Sequence, residues 1–250
     1  MTRAITFDVT RTLIHSPRLI EIYREVLGRH GIDAPAAEVR RLMPVVWQEL
    51  DCRAEVGRDR FSAHPEGPRG WWRRFLERLC EHLGAPPPSP FAAAELYHRF
   101  GRAEAWEVYP EVPGTLSALS RLGLRLAVVS NWDERLPLLL DDLGLGRRFD
   151  AVVYSAAVGV EKPDPRIFLH ALERLGVEPE DAVHVGDSVR EDVEGALAAG
   201  MEALHLVRPG APSLVRPESG QRSRGDLADL SPLPDLIEIS RAPAPFPVPG

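Results

Sequence analysis

The chain has 250 residues, of which 44% are hydrophobic and 27% are charged. This composition is typical of a soluble globular protein of one or two domains, and it excludes a disordered or collagen-like chain. A net charge of −7 argues against nucleic acid or an anionic membrane as a partner. With two cysteines, no signal peptide and no long apolar run, the sequence predicts a cytoplasmic protein.

The basic residues are strongly biased, because 29 of the 30 are arginine and Lys162 is the single lysine. Asn131 is likewise the single asparagine. Loss of amide side chains is typical of proteins from hot habitats, and a drift toward arginine codons explains the bias equally well. Under either interpretation, the positions that keep a lysine or an asparagine are candidates for a specific chemical role.

Short apolar segments rich in Val, Ile and Leu predict the buried strands of a parallel sheet. They cover residues 4–9, 124–130, 151–155, 182–186 and 203–207. Helical patterns alternate with the later strands, each ending just before a glycine, over residues 112–122, 165–175 and 189–199. This alternation predicts an α/β fold with a Rossmann-like, three-layer core around the parallel sheet.

Residues 16–108 interrupt the alternation, because they contain no good strand but several helical patterns. These patterns cover residues 17–27, 35–55, 69–83 and 91–100. We interpret residues 16–108 as an all-helical cap domain, inserted into a core that is formed by residues 1–15 and 109–240. Residues 241–250 contain four prolines and predict an irregular tail.

The candidate site residues follow the predicted strands, at the edge where ligands of open α/β sheets bind. Asp8 ends the first strand, where a carboxylate either caps a turn or acts as a nucleophile. Segments after the later strands offer a hydroxyl, an amide, an ammonium group and two carboxylates, on Ser130, Asn131, Lys162, Asp187 and Asp192. If the three carboxylates converge, they need a divalent cation, and an all-oxygen ligand set favours Mg²⁺.

With these residues in place, the chain resembles the haloacid dehalogenase-like hydrolases, in the branch with a helical cap after the first motif. Four motifs carry the resemblance, in the family's order and within residues 4–207. They read FDVTRTL, VVSNWD, EKPDP and VGDSVRED, and they begin at residues 7, 128, 161 and 185. The resemblance implies a hydrolase, and for the phosphatase members a Mg²⁺-dependent reaction through a phosphorylated aspartate.

The resemblance also implies roles for individual residues. Asp8 is then the nucleophile and a metal ligand, and Ser130 holds the phosphoryl oxygens. Lys162 neutralises Asp8 and the phosphoryl group, while Asp187 binds the metal and Asp192 supports it. The retained lysine is consistent with this role, since a compact ammonium fits between a carboxylate and a phosphoryl group better than a planar guanidinium does.

The first motif departs from the pattern Asp-x-Asp-Gly-Thr of the phosphatase members, with Thr10 and Arg11 at its third and fourth positions. The missing aspartate is their general acid and base, and Thr10 cannot transfer protons near neutral pH. The resemblance leaves Thr10 with its backbone carbonyl as a metal ligand and implies a long-lived phosphoenzyme. Arg11 either reaches the substrate or faces solvent. Thr12 and Asn131 complete the predicted phosphate-binding residues.

Three functions therefore stand side by side. A Mg²⁺-dependent phosphatase of small phosphate monoesters is favoured. A metal-independent 2-haloacid dehalogenase is disfavoured, because Asp187 places a metal-binding carboxylate where the dehalogenases have none. A weakly active or non-catalytic phosphate-binding protein is the third.

We interpret His184 as a core residue, and Trp71 and Trp72 as packing residues or as part of a substrate pocket.

Overall fold

The structure is a computed structural model, and it describes residues 1–51, 57–209 and 223–241. Its strands are β1 (Ala4–Phe7), β2 (Ile14–His15), β3 (Glu107–Val108), β4 (Arg125–Ser130), β5 (Ala151–Tyr154), β6 (Ala182–Gly186), β7 (Glu202–Leu206) and β8 (Ser223–Leu227). Its α-helices are α1 (Leu19–Arg29), α2 (Ala36–Asp51), α3 (Gly67–His82), α4 (Pro90–Phe100), α5 (Val112–Arg121), α6 (Leu136–Asp142), α7 (Ser155–Val158), α8 (Pro165–Leu175), α9 (Gly195–Ala198) and α10 (Leu233–Arg241). No helix in these ranges is both long enough and apolar enough to cross a bilayer.

The central sheet has the strand order β5-β4-β1-β6-β7-β8, and each neighbouring pair is parallel. Side chains alternate between its two faces. Ile5 and Phe7 pack in one core with α5, α6 and α10. Ala4 packs in a second core with α8 and α9. The predicted α/β, Rossmann-like core of three layers is confirmed.

The inserted helices, α1 to α4 with the segments that join them, have a core of their own. It is built around aromatic side chains that include Phe61, Trp71 and Phe75. The chain enters this unit after β2 and returns through β3, and these two strands pair antiparallel. The prediction that residues 16–108 contain no strand is wrong at β3, because a two-residue strand has no readable periodicity and is fixed by its partner.

The core also contains a strand and a helix, β8 and α10, that were not among the predicted elements. β8 pairs with β7, and α10 buries Leu233 and Ile237. The β8 sequence, SRGDL, contains a single large apolar residue, so the apolar pattern missed this edge strand. Arg241 ends α10, and the rest of the predicted tail, residues 242–250, lies outside the described residues.

The predicted helix over residues 189–199 differs in type. It begins as a π-helix at Val189–Glu194 and continues as α9. The amides of Asp192 and Val193 both donate to the Ser188 carbonyl, at 2.9 and 3.2 Å. The wider turn of a π-helix accommodates one extra residue, and such turns often mark functional sites. Over six residues, the sequence pattern of a π-helix cannot be told from that of an α-helix.

Other helices differ from the prediction at their ends. α1 continues through Gly28 to Arg29, and the left-handed glycine that follows it is Gly31, with φ of +76°. The second predicted helix, 35–55, is observed as α2, and residues 52–56 lie outside the described residues. Such shifts are usual for helix ends, where neighbouring residues have similar propensities.

Candidate active site

The carboxyl ends of β1, β4 and β6 meet in the middle of the sheet. From β1 the chain builds first toward β5 on one side and then toward β8 on the other, which makes this edge a topological switch point. The last residue of β1 is in register with Val128 and Val185 of the flanking strands. Asp8, Ser130 and Asp187 therefore leave the sheet at nearly the same level.

Asp8 is buried, and two donors converge on one of its carboxylate oxygens. The Ser130 hydroxyl donates to Oδ1 at 2.8 Å, and Lys162 Nζ donates to the same oxygen at 2.6 Å. None of the hydrogen bonds found among the described residues uses Oδ2. The carboxylate is thus held in one orientation with its second oxygen available for attack, as a nucleophile requires.

Lys162 is 2% exposed and lies between two carboxylates. Besides Asp8, its Nζ donates to Asp192 Oδ1 at 2.5 Å. Burial opposes the charge on Lys162, but the carboxylates of Asp192 and Asp8 outweigh it, so the pKa of the ammonium group is raised. The single lysine of the chain is therefore a buried, permanently charged contact of Asp8.

The carboxamide of Asn131 forms hydrogen bonds to the backbone of Lys162 through both its nitrogen and its oxygen. Its Nδ2 donates to the Lys162 carbonyl at 3.0 Å, and its Oδ1 accepts from the Lys162 amide at 2.7 Å. The structure thus places the side chain of the single asparagine, which we had predicted as a phosphate-binding residue, on the lysine. It positions the ammonium group through the main chain.

Asp192 is 1% exposed and uses both of its oxygens within the protein. Its Oδ2 accepts from the Ser188 amide at 2.9 Å, and His184 Nε2 lies 3.1 Å from its Oδ1. Burial raises the pKa of Asp192, but Lys162 and His184 lower it far more, so the carboxylate stays ionised. Asp192 anchors Lys162 opposite Asp8.

His184 is fully buried, as expected of a core residue, and it is also part of this network. Burial lowers the pKa of His184 and favours the neutral ring. A carboxylate can only accept, so Nε2 carries the proton toward Asp192 and Nδ1 accepts from the Thr6 hydroxyl at 2.7 Å. The contact with Asp192 had no signal in the sequence.

Carboxylate oxygens of Asp8, Asp187 and Asp192 lie within 4.8 Å of one another. Burial raises the pKa of Asp187 to about 7, and the charges of Asp8 and Asp192 add to this rise. An all-oxygen cluster with excess negative charge suits Mg²⁺. The residues fit the ion through Asp8 and Asp187, while Asp192 already accepts three hydrogen bonds within the protein and would support these two ligands.

Thr10 lies beside Asp8, and its hydroxyl oxygen accepts a hydrogen bond from Trp132. The Trp132 Nε1 to Thr10 Oγ1 distance is 3.1 Å. Trp132 is itself buried in the core of the sheet. The Thr10 side chain, at the third position of the first motif, is therefore held by a fixed indole donor.

Arg11 and Thr12 follow β1 beside the site. Arg11 Nε lies 3.1 Å from Asp187 Oδ2, and the Arg11 side chain is 39% exposed, so it is both at the site and partly in solvent. Thr12 is fully buried, and its Oγ1 has no hydrogen-bond partner within the described ranges. The phosphate-binding roles of Arg11 and Thr12 stay predictions.

The inserted helices contact the loop that carries Lys162. The guanidinium of Arg60 is almost fully buried and donates to Glu161 at 2.7 Å and to Asp51 at 2.9 Å. It also lies 5.0 Å from the ring centre of Trp47. Sequence reasoning missed Arg60, because one arginine among 29 has no distinguishing signal.

A second contact joins the inserted helices to the segment after β4. Trp72 Nε1 donates to Asp133 Oδ2 at 2.9 Å, and Asp133 also accepts from Arg135. Arg135 donates in turn to the Tyr97 carbonyl of α4 at 2.6 Å. Trp72 therefore links the two units, whereas Trp71 packs among aromatic rings in the helical core.

The chain matches known proteins along most of its length. The family model for haloacid dehalogenase-like hydrolases matches residues 2–200. The chain belongs to the haloacid dehalogenase-like hydrolases.

Individual relatives of this hydrolase have different names. Haloacid dehalogenase-like hydrolase domain-containing protein 3 of Mus musculus is 36% identical over 245 residues, which cover 95% of this chain and 96% of the relative. Glyceraldehyde 3-phosphate phosphatase of Methanopyrus kandleri is 35% identical, with 83% and 85% covered. The crystal structure of a 2-haloacid dehalogenase from Pseudomonas syringae has a TM-score of 0.65 and 25% identity, with 96% of this chain and 100% of that chain covered.

The hydrolase has one more acid beside the site, the half-buried Glu191, and it gives a stability prediction. Burial raises the pKa of Glu191 from 4.5 to about 7. Ionising Glu191 in the folded state is unfavourable. The group therefore costs no stability below pH 4.5, an increasing amount between pH 4.5 and 7, and the full amount above pH 7. We expect Glu191→Gln to stabilise the metal-free protein by roughly 1–3 kcal/mol at pH 8 and hardly at all at pH 5.

Urea denaturation at the two pH values measures this difference. Glu194→Gln is the matched control, since Glu194 is exposed on the same short segment. Equal effects of Glu191→Gln at both pH values would show that Glu191 is not held neutral by burial.

Proposed function

We propose that this hydrolase is a Mg²⁺-dependent phosphatase that acts on small phosphate monoesters through phosphorylation of Asp8. The observation that carries the proposal is the convergence of Ser130 and Lys162 on Asp8 Oδ1, with the Asp187 carboxylate alongside. A hydroxyl and an ammonium group at that place can bind the oxygens of a phosphoryl group. The phosphatase name of the Methanopyrus kandleri relative supports the same reaction class.

Asp8 Oδ2 attacks the phosphorus atom, the bond to the leaving oxygen breaks, and an acyl phosphate forms on Asp8. Ser130 and Lys162 hold and neutralise the transferred oxygens, which is the main catalytic requirement of phosphoryl transfer. Water then attacks the acyl phosphate, and inorganic phosphate leaves the restored carboxylate. When bound by Asp8 and Asp187, Mg²⁺ supplies charge neutralisation for the phosphoryl oxygens.

The inserted helices act as a cap in this proposal. Their contacts with Glu161 and Asp133 are made next to Lys162 and close to Ser130, so the position of the helices is linked to the two residues that hold Asp8. A helical unit over the site excludes water and presents side chains that select the substrate. Substrate identity then depends on these helices rather than on the sheet edge.

Phosphate release from an aryl phosphate and from a panel of metabolite phosphates tests the proposal. We expect release to require Mg²⁺, to stop in excess EDTA, and to fall by about 10³-fold or more in Asp8→Asn, which keeps the shape but removes the nucleophile. Asp142→Asn, at an exposed position, is the matched control.

Halide release from 2-haloacids, measured in parallel, separates the other two functions. Halide release without phosphate release would replace the phosphatase by a dehalogenase. Full phosphatase activity in excess EDTA would contradict the metal assignment. No turnover of either substrate class would favour a phosphate-binding protein without catalysis.

A further inference from the structure

The guanidinium of Arg11 is paired with the carboxylate that the proposed function gives to Mg²⁺. Its Nε lies 3.1 Å from Asp187 Oδ2, and the Asp187 side chain is 14% exposed. Lys162 donates to Asp8 and Asp192 instead of Asp187. Among the described residues, Arg11 is the basic side chain that forms an ion pair with Asp187.

The backbone of Arg11 is fixed in an unusual conformation. Its φ is +65°, in the left-handed region that residues other than glycine, asparagine and aspartate rarely adopt. The Arg11 amide donates to the Ile14 carbonyl at 2.7 Å. Arg208 donates to the carbonyls of Arg11 and Thr12, at 3.3 and 2.6 Å. The loop is therefore held from both sides, and the side chain leaves it beside Asp187.

The charges of the site show what this pairing does. When all three are ionised, Asp8, Asp187 and Asp192 carry three negative charges, and Lys162 returns one positive charge. Arg11 adds a second positive charge and leaves the cluster with one uncompensated negative charge. A site that would otherwise strongly attract a divalent cation is thus largely neutralised from within the chain.

We infer that Arg11 is an internal counter-ion that competes with Mg²⁺ for Asp187 and so sets the metal affinity of the site. The inference rests on the proposed function, because it assumes that Asp187 is a metal ligand. A bound metal ion would share the Asp187 carboxylate with Nε, and two cations at one carboxylate repel each other. Binding of Mg²⁺ therefore requires Arg11 to swing away from Asp187 toward solvent, where its side chain is already 39% exposed.

Titration calorimetry with Mg²⁺ on the full-length, metal-free protein tests the inference without any substrate. Arg11→Gln removes the charge and keeps a polar side chain on the same backbone. We expect it to bind Mg²⁺ about tenfold more tightly than the wild type. Arg11→Lys keeps the charge and should stay close to the wild type. Arg41→Gln, which breaks an exposed ion pair with Glu38, is the control for the same change in net charge.

The outcomes separate this inference from the proposed function. Tighter binding by Arg11→Gln alone supports the competition. Equal affinity of wild type, Arg11→Gln and Arg41→Gln, with binding lost in Asp187→Asn, overturns the role of Arg11 and leaves the metal site intact. A gain of similar size in Arg41→Gln assigns the effect to net charge and also overturns it. Absence of Mg²⁺ binding in every variant overturns both the inference and the metal assignment.

Discussion

In a rapid-quench experiment with an aryl phosphate, the wild-type protein will release a stoichiometric burst of the aryl alcohol before a much slower steady state. Phosphorylation of Asp8 needs positioning and charge neutralisation, and Ser130 and Lys162 provide both. An aryl oxide leaves without protonation. Dephosphorylation instead needs a base for the attacking water, and Thr10 cannot act as one, so this step should be slower by roughly 10²- to 10⁴-fold.

Thr10→Asp should then raise the steady-state rate, by about 10²-fold for poor leaving groups. The structure favours this gain, because Trp132 Nε1 already donates to the Thr10 side chain and would hold a carboxylate at the same place.

Thr10→Asn is the matched control, since it has the shape of aspartate without its proton chemistry. A wild-type protein without a burst, together with equal rates for the aspartate and asparagine variants, would mean that another group transfers the proton.

The second large effect is expected at Lys162. Lys162→Arg should lose about 10³-fold in turnover, nearly as much as Lys162→Met, although it keeps the positive charge. The ammonium group is fully buried, with 2.6 Å to Asp8 and 2.5 Å to Asp192, and a planar guanidinium cannot take this place without moving one carboxylate.

Steady-state kinetics with the aryl phosphate measure this loss, and near-UV circular dichroism checks that both variants are folded. Rescue of Lys162→Ala by a small primary amine, but not by a guanidinium ion, would confirm that size and shape matter. Near wild-type turnover in Lys162→Arg would show instead that charge alone is required at this position.

The fold and the centre of the site could be predicted because their signals are local. Buried parallel strands are continuous apolar runs, and each candidate residue follows one of them. The composition bias made Lys162 and Asn131 visible, and the structure brings the two together. The carboxyl ends of parallel strands meet at one edge of a sheet, so the parallel topology alone predicts that Asp8 and Ser130 lie close together.

Features that depend on tertiary contacts escaped prediction. β3 and β8 have no apolar pattern, since each is defined by the strand beside it. The pairing of Arg11 with Asp187 spans 176 positions and depends on a backbone conformation that the sequence disfavours. The bonds from the Asn131 carboxamide to Lys162 were not predicted, because only the fold shows that the Lys162 backbone lies next to it.

Acid quench of the wild type during turnover of an aryl phosphate, followed by pepsin digestion at acidic pH and mass spectrometry, tests the central claim most directly. The acidic pH preserves an acyl phosphate during digestion, and the peptide to follow is the one that contains Asp8. The account predicts that this peptide carries one phosphoryl group while the steady state lasts, and that Asp8→Asn abolishes the modification. Product release with the peptide unmodified at every quench time would contradict a phosphorylated Asp8.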